Sequence, residues 1–253
     1  MHKRDITIVM ATSVITDHPS TKMIDQTISD IRVHFPDNEI IMQIDGLREE
    51  QKNRKKDYDE YKNRILWKCL HEDKNILPFI FKEHSHQTNM MRQTITEVKT
   101  PLLLYIEGDA PLTPDMPIDW DKCLDMFEYN KANTIRFHYE SFIPKEHEHL
   151  MFGLEDGFMK TIQWSQRPHL SRKKYYKDIV LPRCKDKFFI EDTFHGAIQD
   201  DISPYEVFNQ EGWDMHKLWI YHPEGNIKRS YHLDGRQGTR KYTSDDKTWG
   251  YKE

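Results

Sequence analysis

Glu107, Gly108 and Asp109 place two carboxylates two residues apart at the end of an apolar run. Carboxylate oxygens are hard donors, suited to Mg²⁺ or Mn²⁺ that also carries phosphate oxygens. A glycine between the acids lets the backbone turn or approach a ligand closely. Asp45, followed by Gly46, stands at the end of a second apolar run, and Ser13 follows Thr12 at the end of a first. Such groups can accept hydrogen bonds from a ribose hydroxyl or a base N–H. The competing reading of each is a polar turn that merely ends a strand. Glu191 and Asp192 form a second acidic pair. It either caps a helix starting near Thr193 or supplies a general base that takes a proton from an attacking hydroxyl. Of the 14 histidines, His222 and His232 lie in one late segment, where either imidazole can join a carboxylate around a metal. The stretch from Lys228 to Arg240 also carries Arg229 and Arg236, with Gly235 and Gly238. It reads as a flexible basic loop that closes over a diphosphate, or as a solvated tail.

These groups need a frame. Residues 6–12 (ITIVMAT), 39–44 (EIIMQI) and 101–106 (PLLLYI) read as strands buried on both faces of a parallel sheet. Apolar residues at helical spacing predict helices from about Ser20 or Thr21 to His34, from Arg48 to His71 and from Gln87 to Val98. Residues 76–81 (ILPFIF) give a third strand, and Pro78 marks it as an edge. If the sheet is parallel, Ser13, Asp45 and Asp109 share the carboxyl rim where open α/β sheets bind ligands. A helix over 119–130 and a strand over 134–139 follow. Beyond them residues 140–157 read as a loop, 158–165 and 218–221 as strands, and a basic helix starts at Ser171.

The 253-residue length suits one large α/β domain or two small ones. We expect a single domain over 1–253, with a nucleotide-binding half at 1–110, an acceptor-binding half at 111–233 and a polar tail at 234–253. A charged fraction of 31% beside 12 Phe, 12 Tyr and 6 Trp describes a polar surface over a real core, not disorder. No apolar run approaches the roughly 20 residues that a spanning helix needs. The strand-like start predicts no signal peptide. Cys69, Cys123 and Cys184 are odd in number and widely spaced, which excludes a disulfide framework and makes a cytoplasmic compartment the default. The net charge of −5 gives no global pull toward nucleic acid. Residues 166–187, however, hold eight Lys or Arg against two Asp.

The order of these parts resembles the GT-A glycosyltransferases. The resemblance runs from residue 5 to 233: a first strand and nucleotide loop at ITIVMATS, a strand ending in Asp45, and an Asp-x-Asp-like motif at Glu107–Asp109. An acidic pair before a helix follows at Glu191–Asp192, and a late histidine at His232. It implies an α/β, mostly parallel central sheet with helices on both faces and a mixed, loop-rich C-terminal half. It also implies transfer of a sugar from a nucleotide-sugar, UDP-linked, to a hydroxyl. In that scheme Asp109 and His232 bind Mn²⁺ or Mg²⁺. Glu107 stands where the family has Asp, so it supports the metal or acts through water or on the ribose. Thr12, Ser13 and Asp45 hold the nucleoside, and Arg92 and Arg236 face the diphosphate. Asp192 is the base, with Glu191 as its substitute, which implies inversion. The QxxRW-type motif and membrane helices of processive synthases are missing, so a single-addition, soluble enzyme is implied.

The acceptor is either a glycan or a hydroxymethylated DNA base. The second reading rests on the basic stretch, with Arg172, Lys173, Lys174 and Lys177 beside Tyr175 and Tyr176. A solvated basic helix is the alternative for that stretch. A nucleotidyltransferase shares sheet, nucleotide and metal, but it would want a Gly-rich, Lys-containing phosphate loop, and residues 10–18 (MATSVITDH) hold neither. A non-catalytic nucleotide-binding module is the remaining alternative.

Overall fold

The first strand, β1 (Ile6–Thr12), is buried at all seven positions, and β2 (Ile40–Ile44) at all five. Continuous β-branched and apolar runs of this kind form strands that are covered on both faces. The computed structural model describes residues 1–15, 17–73, 75–138, 143–203, 207–223 and 228–233. Arg236 and Arg240 lie outside the described residues.

The first half alternates strand and helix: β1, α1 (Lys22–His34), β2, α2 (Lys55–His71), β3 (Ile76–Ile80), α3 (His86–Thr94) and β4 (Leu102–Glu107). Each helix buries one stripe, as in α2, where Tyr58, Tyr61, Ile65 and Cys69 recur at steps of three and four. The expected helix from Arg48 is instead a 3₁₀ turn over Glu49–Arg54 that leads into α2. The second half contains α4 (Trp120–Glu128), β5 (Thr134–Phe137), β6 (Met151–Glu155), β7 (Phe158–Thr161) and β8 (His169–Arg172). It continues with α5 (Lys173–Tyr175), a π turn over Tyr176–Val180, α6 (Leu181–Arg183), α7 (Ile190–Ile202), α8 (Gln210–His216) and β9 (Leu218–Tyr221).

Among the described residues one nine-stranded sheet joins both halves, in the order β3-β2-β1-β4-β8-β5-β9-β7-β6. All strands except β7 and β8 run in the same direction. The mostly parallel α/β sheet read from the sequence is therefore the architecture found, with β3, and its Pro78, at one edge. Two further features differ from expectation. Residues 151–155, read as loop, form β6. Ser171, read as a helix cap, sits inside β8, which is inserted antiparallel between β4 and β5. Register then aligns the rim: Thr12 pairs with Ile44, and Ala11 with Glu107, so β1, β2 and β4 end nearly level.

Candidate functional site

A cavity opens at this rim, lined by the ends of β1, β2 and β4, the start of α3 and Phe189. Thr12, Ser13, Asp45, Glu107 and Asp109 all line it. Their roles separate on inspection. The Thr12 hydroxyl donates to the Gln43 carbonyl at 2.9 Å and so locks β1 to β2, whereas Ser13 is exposed.

Asp45 is 2% exposed. Its Oδ1 accepts from Gly46 N–H at 2.8 Å and Ser85 N–H at 2.7 Å. Its Oδ2 accepts from His86 N–H at 3.0 Å and lies 2.8 Å from His84 Nδ1. Buried carboxylates need such partners, and here they hold the loop leading into α3. Asp45, expected to hold the nucleoside, lines the cavity while its carboxylate also anchors the cavity wall. Gly46 makes this possible, because a Cβ there would stand 2.2 Å from the Glu83 carbonyl carbon and 2.6 Å from His84 N.

Gly108 is closely packed as well, though against side-chain ends that can shift. A Cβ would lie 2.8 Å from Ile24 Cδ1 and 3.1 Å from Thr12 Cγ2. Its N–H donates to the Ala11 carbonyl at 2.8 Å, and its own carbonyl accepts from Thr27 Oγ1 at 2.7 Å. Helix α1 therefore packs directly on the turn that presents the two acids. Asp109 then meets the late segment. Leu233 N–H donates to the Asp109 carbonyl at 2.8 Å, Tyr231 N–H to Pro111 at 3.2 Å and Thr113 N–H to Arg229 at 2.9 Å. This antiparallel pairing, pinned by the buried Tyr231 hydroxyl on Asp30, sets His232 Nδ1 4.0 Å from Asp109 Oδ2. His222 instead lies against the β6–β7 turn, its N–H on the Gly157 carbonyl at 2.8 Å.

Among the described residues no group of three or more His, Cys, Asp or Glu side chains forms a complete metal shell. The Asp109–His232 pair nevertheless fits a divalent cation. A carboxylate and an imidazole at this separation can share one ion, with phosphate oxygens and water at the other positions, as Mg²⁺ and Mn²⁺ are commonly held. Glu107 is engaged elsewhere, accepting from the Gln87 side-chain amide.

Glu191 and Asp192 occupy the first turn of α7, where carboxylates are favoured by the helix dipole. Glu191 Oε2 accepts from Gln166 N–H at 2.9 Å. Asp192 is exposed, and nothing among the described residues hydrogen-bonds its carboxylate. Neither acid lines the cavity, although Phe189 beside them does.

Arg92 does not face the cavity. Its guanidinium donates to the Leu181 carbonyl at 2.9 Å and the Cys184 carbonyl at 2.5 Å and pairs with Asp186. Arg229 is 3% exposed and stacks over the Tyr221 ring. The basic stretch divides: Lys174, Lys177, Arg183, Lys185 and Lys187 are exposed, whereas Arg172 and Lys173 are half-buried and engaged within the fold. Arg172 donates to the Ala132 and Phe127 carbonyls at the end of α4, and Lys173 to the Val98 carbonyl at 2.6 Å. Tyr175 and Tyr176 are buried, so they offer no stacking face to a base.

Several cavity residues escaped the sequence reading. His18, cis-linked to Pro19, stacks on Tyr61 at 3.9 Å between ring centroids, and burial pushes its imidazole down to about 3. His86, at φ 62°, turns its ring edge to Phe189 at 4.3 Å. Burial, then the neighbouring His84, lowers its pKa. A non-glycine residue in this backbone region is strained, and such strain collects at functional sites. The His84-x-His86 spacing was a visible signal; Gln87, an ordinary polar residue in a helix, gave none.

No protein-family model and no curated protein matches the sequence. Solved structures do match. A fragment of Staphylococcus aureus TarS in complex with UDP-GlcNAc aligns with a TM-score of 0.54 at 9% identity, over 89% of this chain and 57% of that one. GalNAc-T7 with UDP, GalNAc and Mn²⁺ aligns with a TM-score of 0.51 at 11% identity, over 93% and 44%. The chain thus spans about half the length of these two. A putative glucose-1-phosphate thymidylyltransferase from Bacillus anthracis aligns with a TM-score of 0.54 at 11% identity, over 98% of both chains. At such identities the likeness is one of fold, and the fold of this chain is that of the GT-A glycosyltransferases, with nucleotidyltransferases as structural neighbours.

Proposed function

We propose that the chain is a single-domain glycosyltransferase that moves a sugar from a UDP-linked donor to an acceptor hydroxyl, with a divalent cation and with inversion. The observation that carries this reading is the meeting of Asp109 and His232, 4.0 Å apart, at the rim of the cavity. A central strand and a segment more than a hundred residues later converge there on one carboxylate–imidazole pair, the donor chemistry for Mn²⁺ or Mg²⁺. The bound ion would offset the charge that builds on the departing diphosphate.

The chain's own residues do the rest. Ser13, exposed at the end of β1, and the Thr12 backbone receive the nucleoside. Asp45 holds the loop before α3 as one wall, and Tyr61 with His18 forms another. Glu107, steadied by Gln87, orients groups beside Asp109. Asp192 takes the proton from the acceptor hydroxyl as its oxygen attacks the anomeric carbon from the face opposite the diphosphate. Its exposure suits that role, since the acceptor arrives from solvent. Glu191, fixed by Gln166 N–H, orients the turn.

A saccharide is the acceptor we favour over hydroxymethylated DNA, because Arg172, Lys173, Tyr175 and Tyr176 are engaged within the fold. A DNA duplex whose binding weakens steeply with salt, and whose slope drops on Lys174→Ala/Lys177→Ala, would reverse that choice. Three free buried cysteines agree with a reducing, cytoplasmic setting. No helix among the described residues is long and apolar enough to cross a membrane.

The test is nucleotide release from UDP-, GDP- and dTDP-sugars with Mn²⁺. Release from one donor class, lost on chelation, supports the reading; binding without turnover points to a non-catalytic module. A nucleotidyltransferase is the second reading, favoured by the end-to-end match to the thymidylyltransferase fold. Against it, residues 13–20 carry neither Gly nor Lys to cradle a triphosphate. Pyrophosphate release from a nucleoside triphosphate and a sugar 1-phosphate would establish it.

A further inference from the structure

We propose that Gln87 is a positioning residue that couples the donor-side acid Glu107 to the first turn of α7, and so sets where Asp192 stands relative to the donor. The proposal rests on the glycosyltransferase reading for its kinetic part, but its structural part stands alone.

Gln87 is 7% exposed and lies on the first turn of α3. Its Nε2 donates to Glu107 Oε1, and its Oε1 accepts from Ile190 N–H at 3.4 Å. An ionised carboxylate only accepts, and a backbone N–H only donates. The two ends of the amide are therefore fixed in opposite senses, and the side chain spans two groups that cannot bond one another. Ile190 N–H is also one of the donors that α7 cannot satisfy within its own first turn. Gln87 thus caps α7 from outside while holding Glu107.

The neighbouring residues repeat the connection. Thr88 Oγ1 and Thr88 N–H both donate to the Phe188 carbonyl, at 2.9 and 3.3 Å. On the other side, Ser85 N–H and His86 N–H hang on Asp45. Residues 85–88 consequently tie together the ends of β2 and β4 and the start of α7. Within this knot only Gln87 touches both an acid of the donor rim and the helix that carries the proposed base. Two separate acids act together only when their spacing is held, since small misplacements of reacting groups are costly in rate.

The test uses the full chain with Gln87→Met, which keeps volume but loses both hydrogen bonds, and Gln87→Glu. The second keeps shape but sets an acid against Glu107, and the repulsion draws its carboxylate away from Ile190 N–H. Amide hydrogen exchange of the ligand-free protein is read at residues 190–192, and kcat and donor KM are read separately. The expected result is faster exchange at that turn in both variants. With it, kcat falls by about 10- to 100-fold while donor KM stays within about 3-fold, the mark of lost alignment rather than lost binding. Unchanged exchange at 190–192, or a raised KM with kcat intact, overturns the proposal. Should Gln87→Met fail to fold, Gln87→Glu decides by the same readings. If exchange responds as expected but wild-type protein transfers no sugar from any donor, the coupling stands and the glycosyltransferase reading falls.

Discussion

β1, β2 and β4 present Ser13, Asp45 and Asp109 one or two residues past their last paired positions. The far part of the molecule works differently. Glu191 and Asp192 come from a helix start, and His232 comes from an extended segment outside every named strand. On the near side, strand register alone places a side chain at the rim. On the far side, placement depends on contacts between distant segments, such as Tyr231 on Asp30 and Ile190 on Gln87. The near side is a frame set by the sheet; the far side has to be brought to it. If that contrast is right, near-side and far-side substitutions will fail in different ways.

The largest effect is expected at Asp109, where the two sides meet. Asp109→Asn should lower sugar transfer by about 10³-fold, the several kcal/mol a bound cation supplies, with melting temperature unchanged. Turnover close to wild type with metal present would remove Asp109 from the centre of the comparison. Asp192→Asn should cost about 10²-fold in kcat and leave affinity for UDP and Mn²⁺ intact. Weaker nucleotide binding with kcat preserved would move Asp192 to the donor side. A defect confined to Glu191→Gln would make its neighbour the base.

Gly46→Ala probes the frame itself. The added Cβ meets backbone atoms of Glu83 and His84, which cannot swing aside as a side-chain end can. We expect a loss of about 2 kcal/mol in urea unfolding, with a weakened donor site. A neutral result would mean that the loop held by Asp45 yields easily. The last effect is electrostatic, absent at neutral pH and present on both sides. Burial pushes His18 down to about 3 and His169, bonded to Tyr176, down to about 4. The folded state thus refuses a proton that the unfolded chain accepts below about 6.5. Stability is complete above that pH and falls as pH drops toward 4, by about 1.4 kcal/mol per pH unit for each group. His18→Gln and His169→Gln should each flatten the dependence; an unchanged slope in either excludes that residue from it.

The near side was legible because long apolar runs declare buried strands, and acids at their ends then fall on one rim. The acid–Gly–acid turn could be read the same way, whereas His232 is placed by the pairing of residues 229–233 with 109–113, which no apolar run declares. Other features are not declared by an apolar run, and each has a local cause. The strand β8 hides because two of its three buried residues are polar: His169 bonds Tyr176, and Ser171 bonds Thr134, so Leu170 between them makes no hydrophobic run. Arg92 was placed by its helix but not by its helix face, which looks toward residues 181–186. Asp45 was identified at the right strand end, yet the backbone donors that surround it come from residues 85 and 86, forty positions on. The cationic run at 166–187 is mostly surface charge, but Arg172 and Lys173 turn inward to backbone carbonyls of Ala132 and Val98, which a charge count does not show.

The position of β8 bears on how the chain is made. β8 lies between β4 and β5 in space but follows both in sequence. During synthesis the near side can assemble as soon as residue 107 emerges, yet one edge of β4 then waits for residues 169–172. Until they arrive, that edge exposes unpaired N–H and C=O groups along the apolar stretch LLLYI, the kind of edge that recruits other chains. A nascent or truncated chain ending between these points would therefore be prone to aggregate, and residues 1–110 would not serve as a separable nucleotide-binding piece. The strand that sequence reading overlooked is the one that makes the frame safe to expose.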